Sequence, residues 1–254
     1  MSPGRLFLVP APLDFGCDVQ APIADVLPEA TLRAAAALTH WVCENAKTAR
    51  ACLKRIGELH ALALPLQQQE IVGLPRGLHK KGGSGAGFDA RGLLQPALQG
   101  HDLGLISEAG MPAVADPGAS VVRAAHDLGI EVVTLVGPSS LLLALAASGL
   151  NGQNFAFVGY LPQEASPRLQ RIRELESLVL KAGQTQLFIE TPYRNAALLG
   201  ALLQALQPNT RLSISQGLTL PSARTRSLTV RGWKQLKEEA AVLGDGPAVF
   251  AIGR

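Results

Sequence analysis

The stretch "LGLISEAGMPAVADPGASVVRAAHDLGIEVVTLVGPSSLLLALAASG", residues 103 to 149, constrains the fold more than any other part of the chain. Its apolar start reads as a buried strand ending at Ser107, and the amphipathic "ASVVRAAHDLG" reads as a helix closed by Gly129. "EVVTLV" is then a second strand, and "GPSS" opens a further helix. Strand, helix and strand in this order require parallel pairing, because a parallel partner is reached only through a long crossover. Asp116-Pro117-Gly118 predicts the helix start: aspartate is a favoured N-cap, and proline at the first helical position loses no useful N–H. That leaves a loop of about eight residues at a strand's carboxyl end, where parallel sheets bind their ligands.

The rest of the chain repeats the alternation. "RLFLV" (Arg5 to Val9) is a strand, the Ala-rich segment from Glu29 is a helix leading to a strand near Leu38 to Cys43, and "AKTARACLKRIG" is an amphipathic helix. "LHALALPL", residues 59 to 66, is expected as a third strand. Residues 73 to 92 are Gly-rich and basic; their "GGSGAG" lacks the Gly-Lys-Ser/Thr ending of a P-loop, so a surface loop is expected, or else a basic flap on the substrate. "LLQPALQG" reads as helical despite Pro96. After Gly152 the pattern restarts with "FAFVGYLP", "TQLFIETP", "RLSIS", "SLTVRG" and "AVFAIG" as strands around charged and Ala/Leu-rich helices. Two domains are expected, 1–152 with a parallel sheet and 153–254 as a second α/β or α+β unit, which suits a length of 254 residues.

Composition excludes several classes. Three cysteines, Cys17, Cys43 and Cys52, form no CxxC pair, so neither a disulfide framework nor a zinc site is expected and a reducing cytoplasm fits. The five histidines are scattered and read as structural, and no metal is expected. No charge occurs from Val132 to Gln163, yet Gly137 to Ser140 and Gly149 to Gly152 break that run into two buried elements, so no membrane span is expected. The start "MSPGRLFLVPAP" lacks a charged region followed by a long apolar one, so no signal peptide is expected. A net charge of +3 neither demands nor repels a nucleic acid.

Four loops leave strands with Gly or Pro plus small and polar residues: "VPAPLD", "SEAGMPAVADPG", "VGPSS" and "IETPYR". Small residues let a ligand lie close to the backbone. No GxGxxG follows the first strand and no acidic residue stands at the distance that would hold a ribose, so a ligand without a pyrophosphate is the natural occupant. HExxH and GxSxG are absent as well.

"SEAGMPAVADPG", "VGPSSLLLALAASGL", "FAFVGYLP" and "LFIETPYR", in this order, resemble the tetrapyrrole methylase superfamily, and within it the branch of small-subunit ribosomal RNA cytidine 2′-O-ribose methyltransferases. That branch reads Ser-Asp-Ala-Gly-Thr-Pro, Ser-Asp-Pro-Gly, Pro-Gly-Pro-Ser, Gly-[Phe/Tyr]-Leu-Pro and Tyr-Glu-Ser-Pro-His-Arg. The resemblance implies an α/β fold of two α/β domains with S-adenosylmethionine in the cleft between them, usually in a homodimer. By position it puts cofactor binding on Pro12, on Ala109, Gly110, Met111 and Val114, on Ser139 and Ser140, on Glu190, and on Gly217 with Pro247 and Ala248. Candidate carboxylates for a general base are Glu108, Asp116 and Glu190, with Glu108 preferred because Asp116 reads as an N-cap; Arg194 could hold a phosphate or carboxylate of the substrate.

The implied function is S-adenosylmethionine-dependent methyl transfer to ribosomal RNA, at a ribose 2′-oxygen, or to a diverged acceptor. Two alternatives stay open: a C-methylase of tetrapyrrole precursors, which would carry Gly-Asp-Pro where Gly110-Met111-Pro112 stands, and a binding protein that no longer catalyses. Departures from the branch cluster where the acceptor would be recognised. Thr-Pro-Ile-Gly-Asn is replaced by Ala11-Pro12-Leu13-Asp14-Phe15, Glu-Asp-Thr-Arg by the Cys43 to Lys47 segment, and Glu-Leu-Thr-Lys by the Gln216 to Leu220 segment. The small C-terminal helical extension common in the branch is not expected here, Arg254 following directly on the last expected strand.

Overall fold

The structure, a computed structural model, describes residues 2–14, 16–75, 88–115, 117–236 and 246–254. It divides into two compact units, Met1–Ser139 and Ser140–Arg254. The division falls ahead of the 152/153 boundary expected from the sequence, because the helix opened by Ser140 packs on the second sheet.

The first unit is built on a parallel sheet of order β3-β2-β4-β1-β5. Its strands are β1 (Leu6–Val9), β2 (His40–Cys43), β3 (Glu70–Gly73), β4 (Leu103–Ile106) and β5 (Val132–Thr134). Successive side chains alternate between faces. Accordingly Phe7, Val9, Trp41 and Ile106 join one core with α1 (Ile23–Val26), α2 (Glu29–Ala37) and α3 (Ala46–Gly57), while Leu6, Leu8, Val42 and Leu105 join another with α4 (Gln95–Leu98) and α5 (Ala119–Asp127). Helices thus cover both faces, as a parallel sheet requires. The β4–α5–β5 segment is parallel as expected, but its crossover spans a strand: β1 pairs with β4 on one side and with β5 on the other. Gly104 in β4 lies under Trp41, where a β-carbon would fall 2.5 Å from the indole, so only glycine fits.

Two expectations are corrected here. The third strand is not residues 59 to 66: Leu59 and His60 instead close the end of α3 with amides on the Ile56 carbonyl, and the strand follows at Glu70–Gly73. β3 is a short, largely exposed edge strand held by its backbone, so it carries almost no apolar signal. Helix α5 begins at Ala119 with Gly118 as N-cap, so Pro117 stands before the helix; Asp116 itself lies outside the described residues.

The second unit holds a mixed sheet of order β6-β7-β10-β8-β9. Here β6 (Phe155–Tyr160) and β7 (Thr185–Glu190) run parallel, while β10 (Ala248–Gly253) is antiparallel to both β7 and β8 (Arg211–Gln216), and β8 to β9 (Arg224–Thr229). Phe188, Phe250, Ile252 and Leu212 face α7 (Ala165–Ala182), α8 (Asn195–Ala205) and α9 (Val230–Gln235). Leu187, Val249 and Ala251 face α6 (Ser140–Ser148). Gly183, in the left-handed region at φ +62°, caps α7 with its amide on the Val179 carbonyl.

Candidate functional site

In the first unit the loops after β4, β1 and β5 are neighbours because their strands are. They are also tied together. The Ala11 amide donates to the Gly110 carbonyl and the Gly110 amide to the Ala11 carbonyl, both at 2.9 Å, an isolated antiparallel bridge beyond the end of a parallel sheet. Gly110 takes φ +75°, and a β-carbon there would meet Leu13 at 3.2 Å and the Pro138 carbonyl oxygen at 3.5 Å. One glycine therefore lies against all three loops, and its left-handed backbone together with the close approach of Leu13 disfavours a side chain there. Ser107, buried, donates to the Gly110 carbonyl at 3.0 Å. Gly137 is forced by proximity: its β-carbon would fall 2.3 Å from Pro10 Cγ.

The first loop has a second anchor that sequence reasoning missed. Arg55 on α3 donates from Nη1 and Nη2 to the two oxygens of Asp14, each at 3.1 Å, and from Nη2 to the Ala21 carbonyl. Asp14 is 3% exposed. The two partners stand 41 positions apart, and nothing local signals their meeting.

Pro12, Ala109, Gly110, Met111, Val114 and Ser139 thus all lie on the three loops at the carboxyl ends of β4, β1 and β5, with Pro12 and Gly110 buried and Val114 exposed. Glu108 sits where β4 ends, accepting from Thr48 Oγ1 at 3.3 Å. That hydroxyl belongs to the first turn of α3, whose N-cap Asn45 accepts from the Lys47 amide. So Glu108 stands beside the segment Cys43 to Lys47, where the chain departs from the branch pattern. Burial pushes the thiols of Cys43 and Cys52 up to about 11, which makes both poor nucleophiles.

That shift has a pH consequence. A thiol titrating at 9.0 in the unfolded chain loses its proton before the buried native thiol does, so the unfolded state binds fewer protons between about pH 9 and 11. Stability should fall as pH rises through this window, and denaturant titrations should show the fall shrinking in a Cys43→Ala/Cys52→Ala variant. Native alkylation of both thiols at neutral pH should be slow and become fast on unfolding.

In the second unit, register brings distant residues to one sheet end. Ala248 pairs with Glu190 on one side and with Gln216 on the other, so Glu190, Pro247, Ala248 and Gly217 converge although they span much of the unit's sequence. Asn195 and Gln216 both donate to the Gly246 carbonyl, at 3.0 and 3.1 Å, holding the approach to β10. Gly217 (φ +61°) and Thr219 (φ +72°) form a tight turn closed by the Leu220 amide on the Gly217 carbonyl. Ser140 is the first residue of α6.

Glu190, 4% exposed, is occupied. Its Oε1 accepts from the Thr191 amide (2.7 Å) and from Arg194 Nε (2.8 Å) and Nη2 (2.6 Å). Arg194, expected to hold a substrate anion, therefore spends two nitrogens on Glu190. Its Nη1 is buried with no hydrogen-bond partner among the described residues, as are Asn195 Oδ1 and Thr219 Oγ1. Buried polar atoms without partners are costly and mark places that a ligand or water completes. Among the described residues no group of His, Cys, Asp and Glu could hold a metal ion, and no helix is long and apolar enough to cross a membrane. The middle of the basic Gly-rich loop, 76–87, lies outside the described residues.

A parallel five-stranded sheet with a small-residue floor, followed by a mixed five-stranded sheet, defines a recognisable two-unit α/β class. Solved members of that class include uroporphyrin-III-C-methyltransferase from Thermus thermophilus (TM-score 0.51, 19% identity, 98% of this chain and 94% of that one). The methyltransferase CobJ aligns with a TM-score of 0.56 at 19% identity, over 99% of this chain and 94% of that one. The chain belongs to the Tetrapyrrole (Corrin/Porphyrin) Methylases, whose family model matches residues 30–233. Among curated proteins it is similar to "Ribosomal RNA small subunit methyltransferase I" of Mesorhizobium japonicum, 35% identical over 216 residues, which make up 84% of this chain and 66% of that protein. The protein of the same name from Pseudomonas aeruginosa is 30% identical over 229 residues, 90% of this chain and 71% of that one. The alignment with the Vibrio cholerae protein of that name, 33% identical, covers 51% of this chain and 44% of that protein.

Proposed function

We propose that the protein is an S-adenosylmethionine-dependent methyltransferase whose acceptor is ribosomal RNA, at a ribose 2′-hydroxyl. The observation that carries the proposal is the Gly110–Ala11 bridge near Pro138, where backbone joins the loops and Gly110 contributes no side chain. It sits in a chain whose relatives at 30% and 35% identity are named ribosomal RNA methyltransferases. A phosphate-free adenosine ligand suits such loops, since backbone amides and carbonyls can take its ring and amino-acid ends. In the second unit the unpartnered Arg194 Nη1, Asn195 Oδ1 and Thr219 Oγ1 supply a donor and two acceptors of the kind such a ligand would satisfy.

In this reading Pro12, Ala109, Gly110, Met111, Val114 and Ser139 are the cofactor-binding residues of the first unit, and Ser140, Glu190, Gly217, Pro247 and Ala248 those of the second. When bound, S-adenosylmethionine supplies an electrophilic methyl group on a sulfonium. Glu108, steadied by Thr48, accepts the proton of the attacking hydroxyl, while Arg194 stays bound to Glu190. Holding the acceptor oxygen in line supplies most of the rate, and a positioned base typically adds about 10²–10⁴-fold.

Helix α3 supports a nucleic-acid acceptor. Lys47, Arg50 and Lys54 recur at i, i+3 and i+7 on its exposed side, the helix contains no acidic residue, and its first turn is where Thr48 meets Glu108. A face of this kind binds phosphate backbone in a salt-dependent way. A homodimer is proposed on the exposed apolar side of α6, where Leu142 and Leu143 are 57% and 38% exposed. A cytoplasmic location is proposed on three free cysteines.

Calorimetric titration with S-adenosylmethionine and S-adenosylhomocysteine tests the reading. Micromolar binding is expected in the native protein and a large loss in Ser139→Trp, which puts a bulky side chain on one of the three loops. Methyl transfer to 30S subunits should then follow, and ribose analysis should place the group on a 2′-oxygen. Methylation of a corrin precursor with untouched RNA would favour the tetrapyrrole alternative, and cofactor binding without any transfer would make the protein a binding module.

A further inference from the structure

We propose that Tyr160 and Tyr193 form a base-stacking platform for single-stranded RNA at the carboxyl end of the β6–β7 pair. The inference rests on the RNA reading above and adds the element that would grip unpaired bases.

The chain has two tyrosines, and the fold sends both to one place. β6 ends at Tyr160, which pairs in register with Ile189, and Tyr193 lies in the 3₁₀ turn Pro192–Arg194 just beyond the end of β7. Tyr193 is 82% exposed and Tyr160 56%, whereas Trp41, Trp233, Phe7, Phe188 and Phe250 are all buried.

Tyr160 is not exposed by chance of strand length. The β6–β7 register runs Phe157 to Leu187 and then Tyr160 to Ile189, so β6 carries one extra residue, with Gly159 at φ +72° just before the tyrosine. Such a bulge reverses the alternation and re-aims the next side chain. Without it Tyr160 would share the face of Val158, which packs on the α7–α8 core; with it the ring leaves that face.

The surroundings favour a nucleobase over an apolar partner. The Arg194 guanidinium carbon lies 5.9 Å from the Tyr193 ring centroid. Arg168, in the first turns of α7 beyond Tyr160, donates from Nη1 to the Gln163 carbonyl at 3.2 Å. Exposed rings beside a guanidinium are what proteins use to stack unpaired bases of RNA. Tyr193 also stands where the branch pattern has histidine, so this chain carries a larger stacking surface there.

The test is fluorescence anisotropy of the full chain with a short labelled single-stranded RNA and with the same sugar–phosphate chain made abasic. Tyr160→Ala and Tyr193→Ala should each weaken RNA binding about tenfold, while the corresponding Phe variants keep it. The wild type should hold the abasic chain no better than the Ala variants hold RNA, and all variants should keep the native affinity for S-adenosylmethionine. If the wild type binds RNA and abasic chain equally, or the Ala variants bind RNA like the wild type, the platform is wrong while the RNA reading stands. If the Ala variants lose self-association in sedimentation but bind RNA unchanged, the rings are a protein contact and the platform is likewise overturned. A wild type that binds no single-stranded RNA at all overturns the platform, while methyl transfer to 30S subunits decides the RNA reading separately.

Discussion

Gly137→Ala should destabilise the first unit by about 3 kcal/mol and abolish cofactor binding, although it adds a single methyl group. The added carbon would fall 2.3 Å from Pro10 Cγ, 2.4 Å from Pro10 Cβ and 3.1 Å from a Leu27 methyl. Two of those atoms belong to a rigid pyrrolidine ring, which cannot rotate away. Relief must come from backbone movement, and Pro10 adjoins Ala11, half of the bridge to Gly110. The damage therefore reaches the loop floor. Thermal unfolding reads the first effect and calorimetric titration the second. A Pro10→Gly/Gly137→Ala double variant should lose less than the sum of the two single changes, because the clash needs both residues.

Arg55→Leu should cost a similar amount, about 3 kcal/mol, by a different mechanism. It leaves the Asp14 carboxylate, 3% exposed, without its bidentate partner, and it frees the Ala21 carbonyl. Breaking one side of a buried ion pair is far worse than never having built it. Denaturant unfolding of Arg55→Leu and of Asp14→Asn/Arg55→Leu separates the two cases: the double variant, with no charge stranded, should recover much of the loss. An exposed pair such as Arg33 with Glu29, at 3.5 Å, should give almost nothing in the same experiment.

Much of the architecture was legible in order and type. The strands at Leu6–Val9, Leu103–Ile106 and Val132–Thr134 and the long helix α7 carry strong apolar periods bounded by Gly and Pro, and such local signals survive folding. β3 was misplaced because an exposed edge strand is held by backbone hydrogen bonds and not by a buried face. The start of α5 was misread because an Asp-Pro-Gly sequence offers two caps, and the structure places the cap at Gly118. The unit boundary moved because α6 is apolar nearly all round, so its sequence does not say which sheet it covers.

The sequence by itself determined that parallel strands end in small-residue loops, because that constraint is local and carried by motif order; that glycine is needed at 137 is a matter of tertiary proximity to Pro10. Only the tertiary structure decided how the loops are held. The bridge of Ala11 to Gly110, the pairing of Asp14 with Arg55, and the convergence of Glu190, Ala248 and Gly217 join residues far apart in the chain. Such contacts depend on strand order and register, which side-chain periodicity does not encode. The same reason hides the bulge at Gly159: an extra residue in a strand is visible only against the partner strand that lacks it.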